Sequence, residues 1–389
     1  MRLHRLLCPV LLALPLSAPA QIVGVALEPK AVVGDGTPIV GGATVVASPA
    51  PDRAAFIDFS SAQPRLLGEV DAPTSYLGPP SAVAISADRR LALVAASSRL
   101  DPAQAKFVPD RRISVIDLSA APLRVVRTLE LDASPTSLAM SPDGRSALVL
   151  HTADDRATVL ALDSRRHRVE VAGRLSFPAG SGPLAAAFSP NGRRLLVTRP
   201  GDHRVSLYAV DAGGVRMPAI RDLVTGVRPF AVSFCGNGGH AVVSNFGDGE
   251  GDADTVSLLR LDGAAPRTVD TVSVGPVPEG VACAPDGRYA AAAIQNLSNR
   301  PKSHPFHGER SAVVLLKIDG DRLQRLDRQP IGAWSQGIAF LDDSRGVIAQ
   351  SIADRALHRF RVERDRLQPA GAPIVFERGG PASLGVSGR

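Results

Sequence analysis

Glu279, His151 and Arg228 are the side chains of this 389-residue chain best suited to acid, base and anion chemistry. A carboxyl or imidazole held in a cleft can move a proton to or from a reacting group. A guanidinium can hold a carboxylate or phosphate in a fork of hydrogen bonds. Arg199, Asn245, Gln295, Asn296, Gln336 and Trp334, the only tryptophan, are polar or amphipathic groups that could orient a small ligand beside them. Local spacing relates none of these residues. The chain has no Gly-x-Ser-x-Gly elbow, no Cys-x-x-Cys-His haem site and no P-loop.

Two further groups bear on metals. Asp248-Gly-Glu250-Gly-Asp252-Ala-Asp254 places acids at alternate positions of a Gly-rich stretch, which could wrap a Ca²⁺ with oxygen ligands. It lacks the spacing of an EF-hand loop, and a solvated acidic loop is the competing expectation. His304 and His307 could ligate a transition metal, but nothing nearby completes the set. Ca²⁺ is thus the one cofactor this sequence raises.

What does relate the first group is a repeated segment. Pro135-Thr-Ser-Leu-Ala-Met-Ser-Pro-Asp-Gly-Arg145 returns from Pro183, Pro229 and Pro278, and in weaker form from Pro80 and Ser335. An Asp or Asn follows each anchor by eight residues. A period of roughly 50 residues built from short strands and tight turns predicts a β-propeller with one four-stranded blade per copy. Within a copy, large residues (Val83 and Ile85, Leu138 and Met140) alternate with small ones (Ala84, Ala139), the period of a strand buried on both faces. Asp-Gly then turns the chain, with Asp capping and Gly accepting a positive φ.

Six copies cover 80 to about 376. Pro381-Ala-Ser-Leu-Gly-Val-Ser387 repeats the anchor pattern, so it is expected to supply the innermost strand of the first blade and close the ring. The expected fold is all-β, a seven-bladed propeller of four-stranded antiparallel blades spanning 44–389. Residues 44–58 are read as strands two and three of the first blade, and 21–43 as an N-terminal extension on the outside. The crossovers between blades aim Arg228, Glu279, Trp334 and Gln336 at the axis. The ends of second strands bring His151, Arg199, Asn245 and Ser351 to the same face, with Gln295 and Asn296 just beyond. Long loops at 96–112, 245–254 and 295–310 share that face, where binding usually resides. The alternative is that these polar groups pair with one another and hold the blades in register.

Arg2, His4 and Arg5 precede the apolar run Leu6–Leu16, and Ala18-Pro-Ala20 offers a cleavage site before Gln21. Residues 1–20 therefore read as a secretory signal peptide cut after Ala20, giving a periplasmic or secreted single domain without a membrane span and expected to be monomeric. The net charge of +6 is dispersed in mixed clusters, which excludes a nucleic-acid surface. Cys235 and Cys283 stand on the small and large faces of successive blades. They are expected either to bond in an oxidising compartment or to act as two buried thiols.

The unit Pro-x-x-Val-Ala-x-Ser-Pro-Asp-Gly-Arg followed by Thr-Val-Ser-Leu-x-x-Leu-Asp, best seen at 278–288 and 255–262, resembles the YVTN-type seven-bladed propeller repeat. That superfamily implies exported YncE-like binding proteins, lactonases similar to 6-phosphogluconolactonase, or propeller domains of periplasmic redox enzymes. Its lactonase members carry a Pro-Arg-His run at one anchor, which is missing here; Arg228 precedes its proline. The first expectation is accordingly a binding protein that takes a small polar or anionic ligand, or a periplasmic protein partner, on its loop-rich face. A lactonase-like hydrolase or lyase using Glu279 and Arg228 is the alternative, and a subunit of a periplasmic redox complex the second.

Overall fold

The computed structural model describes residues 21–33, 43–46, 49–75, 80–101, 103, 106–263 and 265–387. The expected signal peptide at 1–20 lies outside these. Seven antiparallel sheets are arranged with their first strands innermost. Blade 1 runs outward through Gly380–Val386, Ile22–Glu28, Arg53–Asp58 and Arg65–Asp71. Blades 2 to 7 begin at Val83–Ile85, Ser137–Met140, Ala186–Phe188, Pro229–Phe234, Pro278–Cys283 and Ile338–Phe340. In blade 7 the outermost strand is split into Arg366–Pro369 and Ile374–Val375, both paired with Ala356–Glu363. No helix among the described residues is long and apolar enough to cross a membrane.

Ring closure is as expected: Val23 pairs with Val386 and Glu28 with Gly380, so the two chain ends share one sheet. The expected content of blade 1 needs correction. Its second strand is Ile22–Glu28, not the segment after Thr44, so residues 22–28 belong to the propeller and not to an outer extension. Ile22-Val-Gly-Val-Ala-Leu-Glu28 is buried throughout because both its faces are covered. Ile22 and Ala26 pack toward blade 2, while Val23, Val25 and Leu27 pack toward blade 7. A strand covered on both sides has no polar face to betray its period. Gly24 is required there, since a Cβ would lie 2.9 Å from the Phe56 ring. Residues 31–33 and 43–45 form a separate two-stranded hairpin, and Ser98–Asp101 with Lys106–Pro109 form another within the long segment 96–112.

Seven apolar clusters, one between each pair of neighbouring blades, make up the core around the ring. The Asp-Gly turns are fixed by side-chain caps: Asp143, Asn191 and Asp286 each accept the backbone N–H two residues on, at 3.0 Å. Gly144, Gly192 and Gly287 follow at φ of 68°, 69° and 73°. Cys235 and Cys283 are bonded, joining blades 5 and 6 across 48 residues with Cα atoms 4.9 Å apart. Replacing both by alanine is expected to cost about 2–4 kcal/mol, because the cross-link removes loop entropy from the unfolded chain. The urea midpoint reads this. An unchanged midpoint would mean that blade packing alone sets the stability of that interface.

Candidate functional site

The register places one residue of each blade at the loop-side end of its innermost strand, directly after the anchor. Around the ring these are Ala382, Ser81, Thr136, Leu184, Phe230, Glu279 and Gln336. Glu279 is the one ionisable group in this circle. It is 3% exposed. Gln295 Nε2 donates to its Oε1, while its Oε2 has no hydrogen-bond partner among the described residues. Burial pushes the carboxyl up to about 8, against the opposing pull of the Gln295 and Gln336 amides. At neutral pH Glu279 therefore carries a proton, and the unpartnered oxygen is where a ligand atom could receive it.

Blade 7 forms the adjoining wall. Gly280 meets the backbone oxygen of Gln336 so closely that no Cβ fits, which draws the innermost strands of blades 6 and 7 together at this level. A Cβ on Gly337 would lie 2.8 Å from Gln350 Oε1 and 3.1 Å from Pro80. Gln350 is 0% exposed, and among the described residues neither its Oε1 nor its Nε2 has a partner. Thr198 and Ser244 hold the equivalent position in blades 4 and 5. Their hydroxyls reach the next blade's ring carbonyls, Phe230 O at 2.9 Å and Glu279 O at 2.7 Å. Gln350 replaces such a hydroxyl with an amide that finds no partner among the described residues. Unsatisfied buried polar atoms are costly, so their gathering at one end of the channel marks a place for a polar ligand. Sequence reasoning passed over Gln350 and Ser81. Counting fifteen residues from each anchor would have shown Gln350 as the odd member of its column.

Three residues expected to form a polar funnel are instead locked inside their own blades. His151 Nε2 meets Thr158 Oγ1 at 2.9 Å and Nδ1 meets Ser134 O at 3.1 Å, and burial lowers its pKa. Arg199 is buried against Ser206 Oγ at 2.7 Å, Asp222 at 3.0 Å and Asp202. Asn245 binds Thr225, Thr255 and Ser257. Each bonds a side chain of the third strand, so the end of strand two is an intra-blade polar tie. Arg199→Ala should thus lower stability by about 1.5–3 kcal/mol, the worth of hydrogen bonds to charged partners, and leave ligand chemistry intact. Lost activity in a variant of unchanged melting temperature would overturn that assignment.

Residues 79–301, more than half of the chain, match the model of the family described as Lactonase, 7-bladed beta-propeller. The chain belongs to that family. No curated protein matches it. Among solved structures it is similar to the periplasmic gluconolactonase of Pseudomonas aeruginosa, at 16% identity and a TM-score of 0.67, covering 95% of this chain and 99% of that one. It is also similar to a putative 6-phosphogluconolactonase of Bacteroides fragilis, at 15% identity and a TM-score of 0.66, covering 94% and 98%. A third likeness, at 18% identity and a TM-score of 0.55, is to the hydrazine synthase of Kuenenia stuttgartiensis, covering 75% and 78%. At these identities the likenesses show the fold.

The contacts of the remaining expected residues in this family member are these. Trp334 is buried among Ala31, Ile352 and Ala382, where it pins the first and last blades instead of offering a face to a ligand. Arg228 stands half-buried at the surface, its guanidinium 4.9 Å from the Phe246 ring centre and Phe246 stacked on Phe230. Asn296 holds the 295–310 loop through Arg310 O at 2.8 Å. The acidic loop does not gather its carboxyls. Asp248, Glu250 and Asp252 are exposed, while Asp254 turns inward and accepts the Val277 N–H at 2.9 Å. Burial pushes Asp254 up to about 6, with Asp252 and Asp248 adding to the effect. Among the described residues no three His, Cys, Asp or Glu converge as a metal site, His304 and His307 included. His307 instead bonds Arg300 O at 3.0 Å.

Proposed function

We propose that this protein is an exported hydrolase that opens a lactone ring at the loop-side end of its axial channel, with Glu279 as the acid. The observation that carries this reading is a buried carboxyl, directly after the anchor of its blade, with one oxygen that has no partner among the described residues, in a member of a lactonase family. Water adds to the lactone carbonyl carbon and releases one of its protons to solvent, the ring C–O bond breaks, and the departing oxygen takes the Glu279 proton. The new carboxylic acid releases its own proton to water, and solvent returns one to Glu279. Gln295, bonded to Oε1, leaves Oε2 as the oxygen that donates. A carboxyl with its pKa near the working pH suits this step.

The printed names of the similar structures, a gluconolactonase and a putative 6-phosphogluconolactonase, make lactones the first substrates to try. The Cys235–Cys283 bond supports an oxidising compartment, in keeping with a signal peptide at 1–20. A pH-stat assay of the purified protein against sugar and aliphatic lactones tests the reading. Base uptake proportional to enzyme is the expected result. No uptake with any lactone, from protein that is folded by circular dichroism, would return the chain to the reading of a binding protein.

A further inference from the structure

We propose that the turn-side half of the axial channel binds a hydrocarbon chain, so that the ligand of the Glu279 end is a lactone with an apolar tail. The tail site stands on its own geometry; the lactone head rests on the hydrolase reading above.

A cavity of about 520 Å³ lies on the axis, walled by the innermost strands of all seven blades. That is the size of a small-molecule pocket. Its inner end is at Ser81, in the same circle as Glu279, and Val281, two residues along the strand from Glu279, is part of its wall. Its outer end is framed by Pro142, Pro190 and Pro285 of the turns, so it opens on the face opposite the long loops. Ile85, Met140, Phe188, Val232 and Leu384 supply the body of the wall. Phe188 and Val232 belong to innermost strands yet are only half-buried, which is the mark of side chains facing an opening.

The polar inventory of this wall decides the class of ligand. Only Ser81, Ser233 and Asp342 bring polar side chains to it among the described residues. Two of the three are engaged. Ser233 Oγ accepts the Cys283 N–H at 3.1 Å, and Asp342 Oδ1 accepts from Gln21 Nε2 at 3.0 Å. Ser81 Oγ alone has no partner among the described residues, and it sits at the inner end. A polyol in the body of this cavity would find few side-chain partners, with only the edges of the innermost strands to bond, and each hydroxyl left without one costs a few kcal/mol. A hydrocarbon chain has no such need and meets the apolar side chains of the wall. The arrangement is a polar end with Ser81, Glu279 and Gln350, followed by an apolar shaft. It fits an amphipathic molecule with its carbonyl group inward and its chain toward the turns.

The experiment compares kcat/KM for gluconolactone and for γ-lactones with alkyl tails from methyl to decyl. Calorimetric titration of the same protein with 1-octanol, which has a chain but no ring to open, runs beside it. The expected result is a rise of about two- to fourfold per added methylene until the chain reaches the turn-side mouth, together with saturable octanol binding. Ala187→Trp, which fills the shaft, should abolish both the chain-length dependence and octanol binding. Phe188→Ala, which widens it, should move the optimum to a longer tail and guards against misfolding of the first variant. Turnover of gluconolactone with no dependence on tail length and no octanol binding would overturn the tail site and leave the hydrolase intact. Octanol binding without turnover of any lactone would overturn the hydrolase and leave the tail site standing. Absence of both removes both.

Discussion

Glu279→Gln is expected to lower kcat/KM for lactone opening by about 10²–10⁴-fold, the usual contribution of a positioned acid, in a protein that stays folded. Glutamine keeps the size of the side chain and its place beside Gln295, but has no proton of the right acidity to give. The wild type should lose activity as pH rises through about 8, where Glu279 ionises, and the variant's residual rate should not follow that curve. The same group leaves a mark on stability. Its folded pKa of about 8 lies above the ordinary 4.5, so its contribution is fully present below 4.5 and lost as pH rises through 8. Asp254, at about 6 against an ordinary 3.8, acts in the same direction over a lower window. Thermal melts of the variant should therefore keep the decline between about pH 4 and 6 and lose the one that extends to about pH 8. Full activity in Glu279→Gln would remove the acid from the mechanism.

Truncation after Gly379 is expected to abolish the folded state. The lost segment is the innermost strand of blade 1 and pairs with Ile22–Glu28 along its length. Without it Val23, Val25 and Leu27, now fully buried, would border an open seam beside Ala339 and Ile348 of blade 7. Exposing one buried Val or Leu costs about 1.5–3 kcal/mol. Several together exceed the roughly 5–15 kcal/mol by which a domain is stable. The unpaired strand would also template aggregation. Size-exclusion chromatography and circular dichroism of residues 21–379 read the outcome. A monomeric, fully β truncated chain would show that the ring does not need its closing strand.

Much of this architecture could be read along the chain, because the forces that write it are local. The Asp-Gly turns need a capping carboxylate or amide and a residue tolerant of positive φ, and both recur at fixed offsets from each anchor. Strand alternation between Val83 or Leu138 and their small neighbours reports which residues face the previous blade and which the next. The place of Glu279 directly after the Pro278 anchor was legible, but its burial was not. Ile22–Glu28 was not legible as a blade strand, because its partner Gly380–Val386 stands at the other end of the sequence and its apolar run shows no alternation.

The funnel shows the other limit. His151, Arg199 and Asn245 share an offset, and from sequence that offset could serve a ligand or a neighbour equally well. Thr158, Ser206 and Ser257, across the hairpin in the third strand, decided for the neighbour. Cys235 and Cys283 were left between a bond and two thiols until the approach of blades 5 and 6 brought their Cα atoms to 4.9 Å.

Sequence alone determined the seven-fold repeat, the turns and the identity of the residues around the axis, since each depends on steric and capping preferences within a few residues. The tertiary structure decided what those residues do. The pKa of Glu279, the unpartnered amide of Gln350 and the apolar shaft beneath them arise from groups on different blades brought together, and burial and hydrogen bonding depend on that assembled surrounding.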